Sequence, residues 1–139
     1  MIVVDTGPLV AAALVADTNH RRCIELFASL RLNNERMVIP PFVVSEVGYL
    51  LARAGGSKPE VAFIRSLAAG DFTIAPLTVA GLERTADLVE QYAVLPLGVV
   101  DASGVALAEQ LEIAEVATLD RRHFSVVRPQ HVNAFTLLP

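Results

Sequence analysis

An α/β fold built on a short, mainly parallel central sheet is predicted by two features of this sequence. Short β-branched runs recur along the chain, and helix-length segments separate them. The runs are Ile2-Val3-Val4, Met37-Val38-Ile39, Phe72 to Ala75 and Glu115 to Leu119. At 139 residues, with no repeat, low-complexity tract or linker, the chain is expected to form one domain over residues 1–139.

The elements follow in order. Ile2 to Val4 has the pattern of a buried strand and ends at Asp5. Thr6-Gly7-Pro8 turns the chain, and Pro8 suits the first turn of a helix running through Leu14. A second helix, started near Asp17 or Thr18 with Asp17 as its cap, carries Cys23, Ile24, Phe27 and Leu30 at helical spacing. The strand Met37-Val38-Ile39 is closed by Pro40-Pro41. Phe42 to Ala54 forms the next helix, stopped by Gly55-Gly56, and Lys58 to Ala69 another. After the strand Phe72 to Ala75, Thr78 to Tyr92 is amphipathic, with Leu82, Ala86 and Val89 on one face. Val99 to Leu111 reads as a helix of apolar and small residues, followed by the strand Glu115 to Leu119. Arg121 to Phe124 makes a helical turn, and Val126-Val127 reads as a last strand. The tail from Pro129 to Pro139 offers Ala134 to Leu137 as an edge strand or a partner contact.

Composition narrows the function classes. Hydrophobic residues make up 53% and mean hydropathy is +0.51, high values for so short a chain, so part of the apolar surface is expected to meet a partner or a second copy. The net charge of −4 excludes a broad basic footprint for nucleic acid. Among eleven basic residues only Lys58 is a lysine, so phosphate contacts would rest on arginine forks. Cys23 is the single cysteine, which excludes an internal disulfide and reads as a small buried hydrophobe. The segment from Ile2 to Ala16 is broken by Asp5, Gly7 and Pro8, so neither a signal peptide nor a membrane span is expected, and the expected location is cytoplasmic.

Four carboxylates stand out. Asp5 and Asp120 each follow a strand directly, and ligands of open parallel sheets bind at the carboxyl ends of strands. Each has an alternative role as the cap of the next helix. Glu46 falls within one arc of Phe42, Val43, Tyr49 and Leu50, where a glutamate needs a partner or a cation; pairing with Arg53 is the alternative. Asp101 lies in a segment, Leu97 to Ala108, that is otherwise free of charge. The remaining acids sit in polar contexts, Glu109, Glu112 and Glu115 as a wet helix end. Clustered carboxylates repel one another and ionise reluctantly without a compensating cation. A hard, oxygen-preferring ion, Mg²⁺ or Mn²⁺, resolves this and can drive in-line phosphodiester hydrolysis without a nucleophilic side chain.

At these residues the sequence resembles PIN-domain proteins, specifically bacterial toxins of the VapC type. The resemblance is carried by Val3-Val4-Asp5-Thr6 with Gly7-Pro8-Leu9, by Ser45-Glu46-Val47 after the Pro-Pro turn, by Val100-Asp101-Ala102-Ser103 leading into Ala106-Leu107-Ala108-Glu109, and by Ala117-Thr118-Leu119-Asp120-Arg121-Arg122-His123-Phe124. It implies a three-layer sandwich of helices around the sheet, with Asp5, Glu46, Asp101 and Asp120 lining one acidic pocket. It further implies Mg²⁺- or Mn²⁺-dependent endoribonuclease activity, a homodimer and a cognate VapB-like antitoxin. By this resemblance Asp5, Asp101 and Asp120 hold metal, Glu46 orients water or holds a second ion, and Thr6 and Thr118 support the site. Gly7 departs from the small polar residue or alanine common at that turn.

Other chemistries fit poorly. A haloacid-dehalogenase-like phosphatase needs an acid where Gly7 stands, and a receiver domain needs a lysine after its last strand. No glycine-rich loop ends in Lys-Ser/Thr, which excludes a P-loop. His20 and Cys23 lack further zinc ligands, and His123 and His131 lack a partner motif. Arg121 and Arg122, directly after Asp120, are candidates for RNA phosphate contacts. The main competing function is an inactive PIN-like interaction module.

Overall fold

The computed structural model describes all residues 1–139. Five strands form one parallel sheet: β1 (Ile2–Val4), β2 (Met37–Ile39), β3 (Thr73–Ile74), β4 (Glu115–Ala117) and β5 (Thr136–Leu138), ordered β3-β2-β1-β4-β5. Seven helices connect them: α1 (Thr6–Ala13), α2 (His20–Leu32), α3 (Pro41–Gly55), α4 (Ser57–Ala68), α5 (Val79–Gln91), α6 (Val99–Leu111) and α7 (Arg121–Val126). The predicted three-layer α/β sandwich is therefore the observed one. Alternate strand residues feed two cores. Val3, Val38 and Val116 face Leu88, Leu107 and Phe124 of α5, α6 and α7. Ile2, Val4, Met37, Ile39 and Ala117 face Leu9, Phe27, Val47, Leu51 and Phe63 of α1 to α4. No helix is long and apolar enough to cross a membrane.

Because every connection returns the chain to the same end of the sheet, all five strands point one way. Pairing Val4 with Ala117 sets the ends of β1 and β4 side by side. Asp5 N donates to Ala117 O at 2.9 Å and extends that ladder by one residue. The chain after β1 and the chain after β4 thus leave the sheet at adjacent points.

Several sequence expectations are corrected. The helix assigned to begin at Asp17 or Thr18 begins at His20. Asp17 is not its cap: its Oδ1 accepts from Asn19 N at 2.8 Å, a local turn that delays the helix. Val126-Val127 is not a strand. Val126 ends α7, and Val127 is buried in the core beyond it. A two-residue β-branched run does not distinguish strand from helix end. The last strand lies in the tail, at Thr136–Leu138.

The buried face of α5 is Gly81, Thr85 and Leu88, one step around from the predicted one, and Leu82 is exposed. The cause is Arg84. Its guanidinium is turned into the protein to form a forked pair with Glu109 of α6, at 2.8 and 3.0 Å. Glu109 also accepts from Gln130 N at 3.0 Å, so it fastens α5, α6 and the tail together and is no wet helix end. Gly7 lies inside the first turn of α1, where a Cβ would come within 3.3 Å of Leu119 Cβ. Its role there is close packing.

Helix α6 crosses the sheet on small residues, Ala102, Ser103, Gly104 and Ala106, all buried. A Cβ on Gly104 would meet Phe124 and Val3 at ordinary contact distances of 3.9 and 4.0 Å. Gly104→Ala is therefore expected to leave stability unchanged or raise it by up to about 1 kcal/mol through helix propensity. Gly104→Leu should lower it by about 1–3 kcal/mol by forcing α6 off β1. Urea denaturation of both variants checks this.

Candidate active site

Asp5 is the residue before α1, yet its side chain does not cap that helix. Its Oδ2 instead accepts the Thr118 hydroxyl at 2.8 Å. The same hydroxyl oxygen accepts from Asp120 N at 2.9 Å, so Thr118 bridges the two strand-end acids. Asp120 does cap: its Oδ1 accepts from His123 N at 3.0 Å at the start of α7. Its other oxygen, Oδ2, accepts from His123 Nδ1. Asp101 stands in the first turn of α6, where Gly98 is the cap, so its carboxylate is not spent on capping.

Ligand atoms of Asp101, Asp120 and His123 lie within 4.8 Å of one another. Asp5 and Glu46 are not in that tight set, although their charges reach Asp101. Glu46 does not pair with Arg53. Its Oε2 accepts the Thr6 hydroxyl at 2.6 Å, which ties α3 to the start of α1. The arc assigned around Glu46 is also adjusted: Val43, Val47 and Leu51 are buried, whereas Phe42 and Tyr49 are exposed. Glu46 sits at the margin between the two faces.

Electrostatics follow from this crowding. Burial pushes the Asp5 carboxyl above its ordinary value, against the lowering effect of the Thr118 hydrogen bond. Burial also pushes Asp101 up to about 7, with repulsion from Asp5, Asp120 and Glu46 adding to it and His123 opposing it. The Asp120 hydrogen bond raises the His123 imidazole. Its Nδ1 donates to Asp120, its Nε2 donates to Leu95 O at 3.3 Å, and Nδ1 lies 3.7 Å from Asp101 Oδ2. Both ring nitrogens face acceptors, an arrangement that favours the protonated imidazole.

His123 is the site residue that sequence reasoning missed. Its spacing from Asp120, three residues along a helix, was the available signal. Arg121 donates to Pro139 O, and Arg122 is exposed without a side-chain hydrogen bond. His20 Nδ1 contacts Ala11 O at 2.8 Å, and Cys23 is fully buried.

A parallel sheet carrying acids at one carboxyl edge defines a class, and comparison with known families makes it specific: the chain belongs to the PIN domain family, whose model matches residues 2–128. Among individual proteins it is 35% identical to Ribonuclease VapC26 of Mycobacterium tuberculosis, over 99% of this chain and 100% of that protein. It is similar in fold to the crystal structure of Mycobacterium tuberculosis VapC20, described as a sarcin-ricin loop cleaving toxin. The TM-score is 0.75 at 20% identity, covering 84% of this chain and 87% of the other. FitAcB from Neisseria gonorrhoeae is a second structural match, with TM-score 0.66 at 18% identity, covering 100% and 97% of the two chains.

The raised groups make stability depend on pH in one direction. Between 3.8 and about 7, folded Asp101 retains a proton that the unfolded chain has released, so stability falls as pH rises through that window. His123 acts with the same sign, since its contribution is present below 6.5 and lost as pH passes its raised value. The metal-free protein should melt at least about 5 °C lower at pH 8 than at pH 5. Asp101→Asn should flatten that dependence, as read by calorimetry.

Proposed function

We propose that this chain is a Mg²⁺- or Mn²⁺-dependent endoribonuclease acting as the toxin of a toxin–antitoxin pair. The observation that carries the reading is the convergence of Asp101, Asp120 and His123, beside buried Asp5, at the edge where β1 and β4 end. Membership of the PIN family and the likeness to a VapC ribonuclease support the same reading. The donor set fits a hard divalent cation. Burial, with repulsion from the neighbouring carboxylates, pushes Asp101 up to about 7, and a bound cation would relieve both, a charge for which His123 is a partial substitute.

In this reading Asp5, Asp101 and Asp120 would hold the ion. When bound, it lowers the pKa of a water and stabilises charge on the attacking and leaving oxygens of an in-line displacement. Thr118 keeps the Asp5 carboxylate in one orientation and fixes the backbone at Asp120. Thr6 holds Glu46 at the rim, where its free oxygen orients the attacking water. His123 orients Asp120 through its Nδ1 contact.

The partners are an RNA substrate, a VapB-like antitoxin and a second copy of the chain, and the site of action is the cytoplasm. Exposed Phe42 and Tyr49 on α3 and Val99 on α6 supply apolar surface that a second copy would cover. Sedimentation at twice the 14.9 kDa of the chain is the expected outcome, and a monomer at micromolar concentration contradicts it.

Purified protein free of antitoxin should cut total bacterial RNA into discrete fragments with Mg²⁺ or Mn²⁺, and EDTA should stop it. Asp5→Asn or Asp101→Asn should slow cleavage by at least about a hundredfold. Mn²⁺ should raise the melting temperature of the wild type and leave the Asp5→Asn, Asp101→Asn double variant unmoved. Intact RNA under every condition, with no Mn²⁺ shift, would favour an interaction module.

A further inference from the structure

Helix α3 carries a stripe of side chains of which the reaction above uses only one. Phe42, Glu46, Tyr49 and Arg53 follow one another at steps of four, three and four residues, which puts all four within about 60° of one line along the helix. The packed face lies elsewhere, at Val43, Val47 and Leu51. Phe42, Tyr49 and Arg53 are exposed. Glu46, half-buried at the edge of the stripe, gives one oxygen to the Thr6 hydroxyl and keeps the other free. Arg53 pairs with no acid, whereas Arg21, Arg31 and Arg84 each do. The Tyr92 hydroxyl accepts from Arg128 N, whereas that of Tyr49 has no partner in the chain.

The spacing reads the same in both directions. A two-fold axis crossing the stripe midway between Glu46 and Tyr49 therefore lays it on its own copy, with Phe42 against the partner's Arg53 and Glu46 against the partner's Tyr49. Both pairings are complementary: a guanidinium stacks on an aromatic ring, and a phenol hydroxyl donates to a carboxylate. Parallel apposition would instead set each residue against its own kind, glutamate on glutamate and arginine on arginine. The central pair meets at any crossing angle of the two helices, because it lies beside the axis. Charge thus selects a second, antiparallel copy as the occupant of this face.

We infer that two copies of this chain pair antiparallel along α3, and that each lends its Tyr49 hydroxyl to the free oxygen of the other's Glu46. This rests on the nuclease and homodimer reading, and adds that each active site is completed only by the second copy. A carboxylate oxygen accepts two hydrogen bonds, so that oxygen takes the tyrosine hydroxyl and the attacking water together. With Thr6 on its other oxygen, Glu46 is then held at both ends of its carboxylate. Tyr49 is a positioning residue: it fixes the direction of the water through Glu46 and touches neither RNA nor cation. A monomer keeps all its carboxylates but leaves one Glu46 oxygen unheld.

Sedimentation of the full-length chain tests the pairing. Phe42→Arg sets like charges against each other at both ends of the interface, and should turn the dimer into a 14.9 kDa monomer. Adding Arg53→Glu to the same chain should restore the dimer, since the two positions are about 16 Å apart along α3 and can meet only between copies. Tyr49→Phe should stay dimeric, yet cut RNA at least about tenfold more slowly with KM unchanged. A mixed dimer of Tyr49→Phe and Asp101→Asn, isolated through two different tags, should recover about half the wild-type rate, because the copy with intact carboxylates receives its hydroxyl from the other. If Tyr49 serves its own chain or stacks on an RNA base, the mixed dimer stays at or below about a twentieth, and the inference is overturned. Tyr49→Phe as fast as wild type, Phe42→Arg still dimeric, or no rescue by Arg53→Glu overturns it too and leaves the nuclease standing. A wild type that cuts RNA as a monomer has the same meaning, and a wild type that cuts no RNA overturns both.

Discussion

The pairing of β1 with β4 is the constraint on which the rest depends. Two three-residue strands align so that Asp5 N completes the ladder on Ala117 O, and Thr118 then faces Asp5. Side chains alternate along a strand, so a slip of one residue would turn Thr118 and Asp120 to other faces. The alternating cores prevent that slip, since Val116 and Ala117 would exchange sides between two different sets of helices. Hydrophobic packing thus sets, through register, where the acids stand.

The molecule treats its buried charge in two contrasting ways. Arg84 and Glu109 are neutralised in place by a forked pair, and the tail adds a third hydrogen bond. Such a closed unit joins elements and leaves nothing to react. At the sheet edge the acids outnumber the one imidazole among them, and burial together with their mutual repulsion raises the Asp101 carboxyl to about 7. Asp5 and Glu46 are steadied by neutral hydroxyls, which orient a carboxylate without cancelling its charge, and Asp120 by His123. A site arranged in this way keeps its demand for positive charge unmet by the protein itself.

The sequence made the sheet class legible because strand runs and proline or glycine punctuation are local signals. Asp5 and Asp120 could be read as strand-end acids for the same reason, and Asp101 from its uncharged surroundings. Helix faces were less legible: on α5 the inward side includes Arg84, whose partner Glu109 is 25 positions away. Glu46 lies at the margin of the packed face rather than within it, and its partner, Thr6, lies 40 residues away where nothing local identifies it. His123 could have been inferred only after Asp120 was placed.

The sheet ends on one side in β3, two residues long, and on the other in β5, three residues long and followed at once by a proline. Edges this short give a passing strand almost no unpaired backbone to template on, and the proline removes the next donor. Growth of the sheet from one molecule into another is thereby blocked, even though more than half of the residues are hydrophobic. Encounters between copies are channelled to side chains on helices, where shape and charge discriminate between partners, and away from the indiscriminate chemistry of open β-edges.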